Sequence, residues 1–487
     1  MSTQTQPAPL PLRICEQARL SRDPRFDGLF FTAVRSTGIY CRSICPAPTP
    51  KARNVEYFPN AAAAAAAGYR PCLRCRPEAA PATPQRARSA LVIGALRMIE
   101  AGALDRDSVA ALASRIGVSE RHLRRLFIEE LGAAPLEIAA TRRLLFAKKL
   151  LGETVMPVTQ IALASGYASL RRFNAAFLAG YGKSPRALRR APAGRATPAS
   201  TTLTLRLPYR APYDFAALLA FFARRAIPGI EHVDATSYTR QFAFDGVAGT
   251  LRVTQRPDDD ALALAVTFPN PARLQEITAR VRRMFDLDAD IASVNAHLAR
   301  EPRLRALVRK HPGQRLPGGW DGFEIALRAV LGQQVSVAAA RTLAQRLVQR
   351  FGVEVAGDDG TLTRLFPLAE TVADADLGAI GLPRTRAQTL RTIARAVCDG
   401  SVDFRAQQGL DEFVSRWTAL PGIGDWTAHY IAMRALSDPD AFPAGDLVLR
   451  KAVAVDGASV TTKALIAMAE RWRPWRAYAV FHLWRSA

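Results

Sequence analysis

The stretch LPGIGDWTAHYIAMR, residues 420–434, has the pattern of a helix–hairpin–helix motif. Gly422 and Gly424 lie in the hairpin, and a helical segment follows them directly. Glycines here let the backbone N–H groups at the start of the next helix approach a DNA phosphate, where the helix dipole also favours negative charge. By itself, the motif predicts only a sequence-independent DNA clamp.

The chain around this motif is long and strongly basic. Its 487 residues exceed what one hydrophobic core supports, so several domains in series are expected. Lys and Arg number 66 against 43 Asp and Glu, a formal net charge of +23, which favours a polyanionic partner. The alternative is that the whole proteome is basic, so that the charge says nothing about partners. The motifs must distinguish between these two interpretations. No stretch has the pattern of a signal peptide or a membrane span, so we expect a cytoplasmic protein without a membrane partner.

Changes of pattern divide the chain into four predicted domains. Residues 12–78 hold five of the six cysteines and form a small module. Residues 86–190 are helical and carry 18 Lys and Arg against 8 Asp and Glu. Residues 201–288 alternate apolar and polar positions and predict an α+β unit, whereas residues 289–487 return to amphipathic helices. The predicted fold class is therefore multidomain and mainly α.

Four cysteines of the first module form two closely spaced pairs, C-x3-C and C-x2-C, with 26 residues between them. These are Cys41, Cys45, Cys72 and Cys75. Two such pairs can close a tetrahedral zinc site, so one Zn²⁺ is the predicted metal. Spacing alone leaves open whether the zinc is purely structural or whether one thiolate is a reagent. The other two cysteines, Cys15 and Cys398, have no partner at such a spacing and are predicted to be small apolar residues.

The sequence around these cysteines, from DPRFDGLFF to YRPCLRCRP, closely resembles the N-terminal module of the alkylation-response regulator Ada across nearly all of residues 12–78. In that family the first cysteine of the C-x3-C pair accepts a methyl group from a methylphosphotriester in DNA, and the resemblance assigns this role to Cys41. Methylation would remove one negative charge from the zinc–thiolate cluster and so weaken its repulsion of phosphate. The resemblance implies an irreversible, single-turnover sensor. The separate Ada methyltransferase domain, with its Pro-Cys-His-Arg signature, is absent from the sequence.

Two segments of the basic helical domain repeat one layout. SVAALASRIGVSERHLRRLF (108–127) and PVTQIALASGYASLRRFNAAF (157–177) each predict a helix, a glycine turn, a serine N-cap and a second helix. Two such copies joined by a helix resemble the DNA-binding domain of AraC-family regulators. The side chains expected to face DNA are Arg121, Arg124, Arg125, Arg171, Arg172 and Asn174. A solvated charged face of an ordinary helical bundle is the alternative interpretation.

About twenty residues after the hairpin motif, DAFPAGDLVLRKA places Asp446 behind a Pro/Gly-rich loop. With this acid, the chain from about Leu203 onwards resembles the helix–hairpin–helix glycosylase superfamily, and within it the AlkA-type 3-methyladenine DNA glycosylases. The resemblance implies that a damaged nucleotide is flipped out of the duplex and loses its base by hydrolysis of the N-glycosidic bond. It also implies that Asp446 stabilises the positive charge developing on the sugar or orients the attacking water.

The same resemblance assigns an aromatic base pocket, position by position, to Phe221, Trp426, Tyr430 and Trp484. Such rings can select a cationic alkylated purine by stacking and cation–π attraction. Gln334 matches the position where the family inserts a wedge into the gap left by the flipped base. Relatives that also cut the DNA backbone carry a lysine where this chain has Trp426. The resemblance therefore implies a monofunctional glycosylase that leaves an abasic site and needs no cofactor.

The sequence as a whole predicts a DNA alkylation repair and response protein, in which a methyl sensor and a sequence-specific DNA reader are fused to a base-excision glycosylase. Double-stranded DNA, either alkylated or carrying a promoter site, is the predicted partner, with RNA polymerase as a further one. The alternative is a transcriptional regulator whose C-terminal half only clamps DNA and whose zinc site is purely structural.

Overall fold

The computed structural model describes residues 10–81, 89–189, 202–256, 258–355, 360–404, 409–454 and 459–486. The chain divides into two compact units, the first with residues 1–210 and 258–279 and the second with residues 211–257 and 280–487. Both contain helices and small sheets, with helices predominating, which confirms the predicted fold class. The four predicted domain ranges stay a prediction. The linker expected at 191–200 lies outside the described residues.

The first unit begins with a four-stranded sheet in the order β3-β1-β2-β4. The strands of this sheet and the two helices beside them in the sequence are α1 (Leu12–Ser21), β1 (Phe31–Val34), β2 (Ile39–Arg42), β3 (Val55–Phe58), α2 (Ala61–Ala66) and β4 (Arg70–Pro71). Strand β1 pairs antiparallel with both β2 and β3, and β4 runs parallel to β2. This topology brings the end of β2, with Cys41, beside the residues that follow β4, with Cys72. Cys15 is fully buried, in agreement with its prediction as a small apolar residue.

Within the described residues 89–189, eight helices follow: α3 (Ala90–Glu100), α4 (Ala103–Arg106), α5 (Val109–Ile116), α6 (Glu120–Leu131), α7 (Pro135–Glu153), α8 (Val158–Ala164), α9 (Leu170–Tyr181) and α10 (Pro185–Leu188). Helices α5 and α6, and likewise α8 and α9, form the two predicted helix–turn–helix units. Gly117 and Gly166 have φ values of +79° and +76° at the turns, a region that glycine enters without strain. Ser119 and Ser169 accept hydrogen bonds from backbone N–H groups in the first turns of α6 and α9, as N-caps do.

The cysteine-bearing sheet packs directly against the helices of the first unit. Lys148 of α7 and Glu78 are both almost fully buried, and their Nζ and Oε1 atoms are 3.5 Å apart. The Asn60 side-chain amide donates to the carbonyl of Leu131, at the end of α6, over 2.8 Å. A buried ion pair is costly to separate, because each charge would be left without its partner. The segments next to the sheet are therefore joined to α7 and to the end of α6. Strands β5 (Thr202–Pro208) and β9 (Ala261–Thr267) pair antiparallel in this unit.

The second unit contains helix α11 (Phe215–Ala223) and the antiparallel strands β6 (Glu231–Val233), β7 (Ser237–Phe244) and β8 (Val247–Arg256). Helix α12 covers Leu274–Met284. The later elements are α13 (Ile291–Leu298), α14 (Pro302–Lys310), α15 (Gly322–Leu331), α16 (Val337–Phe351), β10 (Val353–Glu354), β11 (Arg364–Leu365), α17 (Ala369–Ala373), α18 (Arg384–Cys398), α19 (Gly409–Thr418), α20 (Asp425–Ala435), α21 (Leu447–Ala452), α22 (Thr462–Ala469) and α23 (Arg476–Ser486). Among the described residues, no helix has both the length and the apolar character needed to cross a membrane.

A buried ion-pair cluster joins the sheet of the second unit to α15. Arg240 pairs with Glu231 and with Glu324 of α15, and Arg328 lies 2.5 Å from Glu231 and 2.7 Å from Glu324. Burial alone would raise the pKa of Glu231, but Arg328 and Arg240 hold it at about 2. Glu231 therefore stays ionised, and the cluster fixes the α15 wall of the cavity described below.

The prediction for Cys398 is wrong. This residue is exposed at the last position of α18, rather than packed as a small apolar residue. The buried stripe of α18 includes Ile393, Ala394 and Ala396 and ends before the helix does. Spacing to other cysteines carries no information about which side of a helix a residue occupies, and this is why the prediction failed.

The buried carboxyl group of Asp286 gives the second unit a pH-dependent stability. Its Oδ2 accepts hydrogen bonds from the Leu316 backbone N–H and the Tyr478 hydroxyl, at 3.0 and 2.9 Å. Burial raises the pKa of Asp286 to about 6, although the nearby Arg315 opposes this shift. Because the folded pKa exceeds the unfolded one, the stabilisation is complete below the ordinary aspartate pKa of about 4 and is lost as pH rises through 6.

We expect Asp286→Asn to stabilise the protein at pH 8 by up to about 3 kcal/mol, and to give no gain at pH 4. The asparagine oxygen can accept both hydrogen bonds without a buried charge, and asparagine tolerates the positive φ of 51° found here. Urea unfolding at the two pH values measures the effect. Asp374→Asn, at a side chain 88% exposed, is the control. The expectation fails if wild type and Asp286→Asn show the same pH dependence.

Candidate active site and metal centre

A cavity of about 600 Å³ opens in the second unit, with walls from α11, α15, α16, α20 and α23. The four aromatic residues and the acid predicted from the sequence all line it: Phe221, Trp426, Tyr430, Asp446 and Trp484. These residues come from helices that are far apart in the sequence. The fold therefore brings together the complete predicted set, although the role of each residue stays a prediction.

Asp446 is held at the cavity wall by three hydrogen-bond donors. It is the N-cap of α21, and its Oδ1 accepts from the Leu449 backbone N–H over 3.0 Å. The indole Nε1 of Trp484 donates to the same oxygen over 3.2 Å, and Nε1 of Trp426 donates to Oδ2 over 3.0 Å. Hydrogen bonds to an ionised acceptor are among the stronger ones in proteins. The carboxylate is consequently fixed in orientation, with both oxygens engaged.

The aromatic rings form a continuous wall beside this carboxylate. Trp426 and Tyr430 lie one turn apart on α20 and stack with ring centroids 5.2 Å apart and planes 10° from parallel. The ring of Trp484 is tilted by 47° against Tyr430 at 6.4 Å, and it meets Phe481 edge-on at 5.2 Å. Flat faces of this kind offer a surface on which a planar base can stack.

Two arginines of the cavity lining that the sequence interpretation missed lie close to the ring of Phe221. The guanidinium of Arg225 lies 3.8 Å from the ring centre of Phe221, and that of Arg434 lies 4.7 Å from it. Arg434 also donates to the Tyr430 hydroxyl over 3.0 Å. Burial would raise the pKa of Tyr430, but Arg434 and Arg225 outweigh it and lower that pKa. The ring of Phe221 thus already has two guanidinium cations next to it. Their spacing in the sequence could have identified them, because Arg225 follows Phe221, and Arg434 follows Tyr430, by four positions, which is the spacing of side chains on one face of a helix.

The glycine hairpin lies at one end of α20. Gly422 has a φ of +87°, and a Cβ there would come within 2.0 Å of Thr389 Oγ1. Gly424 is the exposed N-cap of α20 and has open space around it. The start of α20 at Gly424 is therefore open, as the close approach of a phosphate to the helix N-terminus requires.

A loop between α15 and α16 is fastened to this hairpin. The Gln333 side-chain amide donates to the Gly422 carbonyl over 3.1 Å and to Thr427 Oγ1 over 3.0 Å, while Arg386 donates to the Gln333 carbonyl over 2.8 Å. The next residue, Gln334, is exposed and has a φ of +56°. This loop therefore presents the predicted wedge residue outward from an anchored backbone.

We expect Gly422→Ala to weaken both folding and DNA binding, because the alanine would combine a strained φ with a clash against Thr389. Strain of this kind costs roughly 1–3 kcal/mol. Gly424→Ala is the matched control for stability, since φ at Gly424 is −92° and no atom lies within 4 Å of the added Cβ. Unfolding midpoints and duplex DNA affinities of both variants measure the effect. Equal midpoints would contradict the expected strain at Gly422.

The six side chains predicted to face DNA are all exposed on the second helices of the two helix–turn–helix units: Arg121, Arg124 and Arg125 on α6, and Arg171, Arg172 and Asn174 on α9. The opposite face of α9 buries Phe173 and Phe177 completely. Arg125 is partly engaged, since its Nη2 lies 3.1 Å from His122 Nδ1 and its Nε lies 3.8 Å from Glu129. The arrangement leaves one cationic surface on each second helix.

The four predicted metal ligands converge in the first unit. The Sγ atoms of Cys41, Cys45, Cys72 and Cys75 all lie within 4.8 Å of one another. Four thiolates at this separation fit a tetrahedral Zn²⁺, whose Zn–S distance is about 2.3 Å. Cys72 and Cys75 are buried, whereas Cys41 and Cys45 are partly exposed. The C-x3-C pair is consequently the side of the cluster that another molecule can reach.

The residues around the sulfurs support a thiolate cluster. The backbone N–H groups of Arg42 and Arg74 point at Cys75 Sγ and Cys72 Sγ, at 3.3 and 3.4 Å. The Arg42 side chain pairs with Asp27 and donates to the Cys75 carbonyl over 3.0 Å. These donors lower the cost of holding negative sulfur in a half-buried place.

Four family models match successive parts of the chain. They are the metal binding domain of Ada over residues 14–78, a helix-turn-helix domain over 112–191, the AlkA N-terminal domain over 204–321, and the HhH-GPD superfamily of base excision DNA repair proteins over 327–477.

Individual proteins show the same pattern. A relative from Mycobacterium tuberculosis (strain CDC 1551 / Oshkosh), named "Probable bifunctional transcriptional activator/DNA repair enzyme AlkA", is 42% identical over 97% of this chain and 96% of its own length. DNA-3-methyladenine glycosylase 2 of Escherichia coli (strain K12) is 34% identical over 57% of this chain and 95% of its own length. The solved structure of the 3-methyladenine DNA-glycosylase from Archaeoglobus fulgidus matches at a TM-score of 0.50 and 24% identity, covering 57% of this chain and 96% of that one. This last likeness concerns the fold alone.

Proposed function

We propose the reactions of this chain from one premise: it belongs to the family of AlkA/Ada-type bifunctional transcriptional activators and DNA repair glycosylases. DNA is accordingly its partner, and the cysteine cluster is its zinc site. We propose that the second unit excises alkylated purines of the 3-methyladenine type as a monofunctional glycosylase. We further propose that the first unit senses methylphosphotriesters through Cys41 and adjusts transcription accordingly.

The observation that carries the glycosylase proposal is the carboxylate of Asp446 at the wall of an aromatic cavity. A flipped base would enter the cavity and stack on the rings, and Asp446 would then lie beside the sugar. As the C1′–N bond breaks, its electron pair leaves with the base, and the carboxylate stabilises the positive charge that develops on the sugar. A water oxygen then bonds to C1′ and releases its proton, which completes the hydrolysis.

A monofunctional reaction is supported by the side chains available to attack the sugar. Trp426 stands at the lysine position of strand-cutting relatives, and none of the described residues that line the cavity is a lysine. We expect methylated duplex to stay intact on a denaturing gel after incubation, and to break only after alkali cleaves the abasic sites. Breaks without alkali, together with a borohydride-trapped protein–DNA adduct, would contradict this.

That the glycosylase reaction needs no cofactor stays a prediction as well.

For the sensor, we propose that the Cys41 sulfur attacks the methyl carbon of a phosphotriester. An S–C bond forms, the O–C bond breaks, and its electron pair stays on the phosphate oxygen, which restores an ordinary phosphodiester. A bound Zn²⁺ would keep the attacking sulfur deprotonated at neutral pH. The partial exposure of Cys41 supports this role, and Cys45, Cys72 and Cys75 would hold the metal.

The loss of one negative charge beside the exposed arginines of α6 and α9 would then raise DNA affinity. Because the cysteine-bearing sheet and the helix–turn–helix units share one compact unit, the charge change acts on the same DNA-binding body. Contact of this body with RNA polymerase at a promoter stays a prediction.

A further inference from the structure

We propose that Trp426 and Trp484 are positioning residues for Asp446, acting through their indole N–H groups, in addition to forming the wall of the base cavity. The inference rests on the glycosylase function proposed above, and goes beyond the stacking role that a pocket ring needs. Stacking uses only the faces of the rings, which phenylalanine also offers over a smaller area.

The direction of the two N–H bonds carries the inference. Trp426 Nε1 reaches Oδ2 at 3.0 Å and Trp484 Nε1 reaches Oδ1 at 3.2 Å, so each carboxylate oxygen has its own indole donor. The buried Nε1 atoms of Trp417 and Trp472, by contrast, find no hydrogen-bond partner among the described residues. The two pocket tryptophans differ from these core tryptophans in having N–H groups that converge on a single acid.

The two donors restrict the orientation that Asp446 can adopt. The helix cap alone binds one oxygen, through the Leu449 N–H, and leaves the carboxylate free to turn about that bond. The indole of Trp426 engages the other oxygen, so that turning would break hydrogen bonds at both ends of the carboxylate. A catalytic group held in one orientation needs no reorganisation at the moment of reaction.

The donors are themselves held by the pocket. Trp426 stacks on Tyr430, and the residue after Trp484, Arg485, pairs with Asp214 at the start of α11 over 2.7 Å. A base stacked against these rings would restrain them further and with them the two N–H groups. Recognition of a base and orientation of the acid are therefore coupled through the same two side chains.

The test compares Trp426→Phe and Trp484→Phe, which keep a ring but lose the N–H, in single-turnover and steady-state base release from methylated duplex DNA. We expect kcat to fall about tenfold to hundredfold in each variant, because a hydrogen bond to a charged group is lost. The KM should change less than about threefold. Trp426→His and Trp484→His, whose ring N–H can donate, should recover part of the loss. Trp475→Phe, outside the cavity, is the control and should match wild type.

A double-mutant cycle separates positioning from a general weakening of the fold. If the tryptophans act through the carboxylate, adding Trp484→Phe to Asp446→Asn should lower the residual rate no further, whereas a structural role would lower it again. Unchanged kcat in both phenylalanine variants, or a loss seen only in KM, would overturn the inference. Absence of base release by the wild-type protein would instead overturn the proposed function, so the two failures are distinguishable.

Discussion

Asp446→Asn should reduce the release of free alkylated bases about 100-fold to 1000-fold, the usual effect of removing one transition-state stabilising group. The loss has an electrostatic cause, because the amide cannot balance the positive charge that develops on the sugar. Folding should be unaffected, since asparagine is as good an N-cap as aspartate and can still accept from the Leu449 N–H. Quantifying the bases released from duplex DNA methylated at purine nitrogens measures the effect.

Asp411→Asn is the matched control, because this acid is exposed in the first turn of α19 and lies outside the cavity. The control should release bases at the wild-type rate, and all three proteins should bind undamaged duplex equally. Equal and negligible release by wild type and Asp446→Asn, with binding intact, would favour a regulator whose C-terminal half only clamps DNA.

Replacing Cys41 by histidine should abolish methyl transfer while zinc is retained. The reason is chemical, because an imidazole is an accepted fourth ligand beside three cysteines but lacks the nucleophilic thiolate. After incubation with methylphosphotriester DNA, the wild-type peptide that contains Cys41 should gain the mass of one methyl group, and the Cys41→His protein should gain none. Zinc content, measured on both proteins, should stay near one per chain.

Cys398→Ser controls for incidental alkylation, since Cys398 is an exposed thiol far from the cluster in sequence. This variant should be methylated at Cys41 like the wild type. A methyl group found on Cys45, the other partly exposed ligand, would reassign the acceptor within the same cluster. A wild-type protein that gains no methyl group anywhere would leave the zinc site with a purely structural role.

Features that depend on a few neighbouring residues could be predicted from the sequence alone. The spacing of the two cysteine pairs was enough to predict a four-sulfur cluster, because short loops place both members of each pair near one point. The glycine turns and serine caps of the two helix–turn–helix units followed from local backbone preferences at Gly117, Gly166, Ser119 and Ser169. The buried or exposed state of Cys398 did not follow from its neighbours in sequence, and there the prediction failed.

Resemblance to a family identified the cavity residues, but the sequence could not show how they are arranged. That Phe221 already has two guanidinium groups near its ring, and that Trp426 and Trp484 both aim their N–H groups at Asp446, depends on how α11, α20, α21 and α23 pack together. Spacing along the chain determines local turns and caps, because their hydrogen bonds join residues a few positions apart. The direction of a side chain within a cavity is set by long-range packing, so only the tertiary structure decided which groups act on the acid.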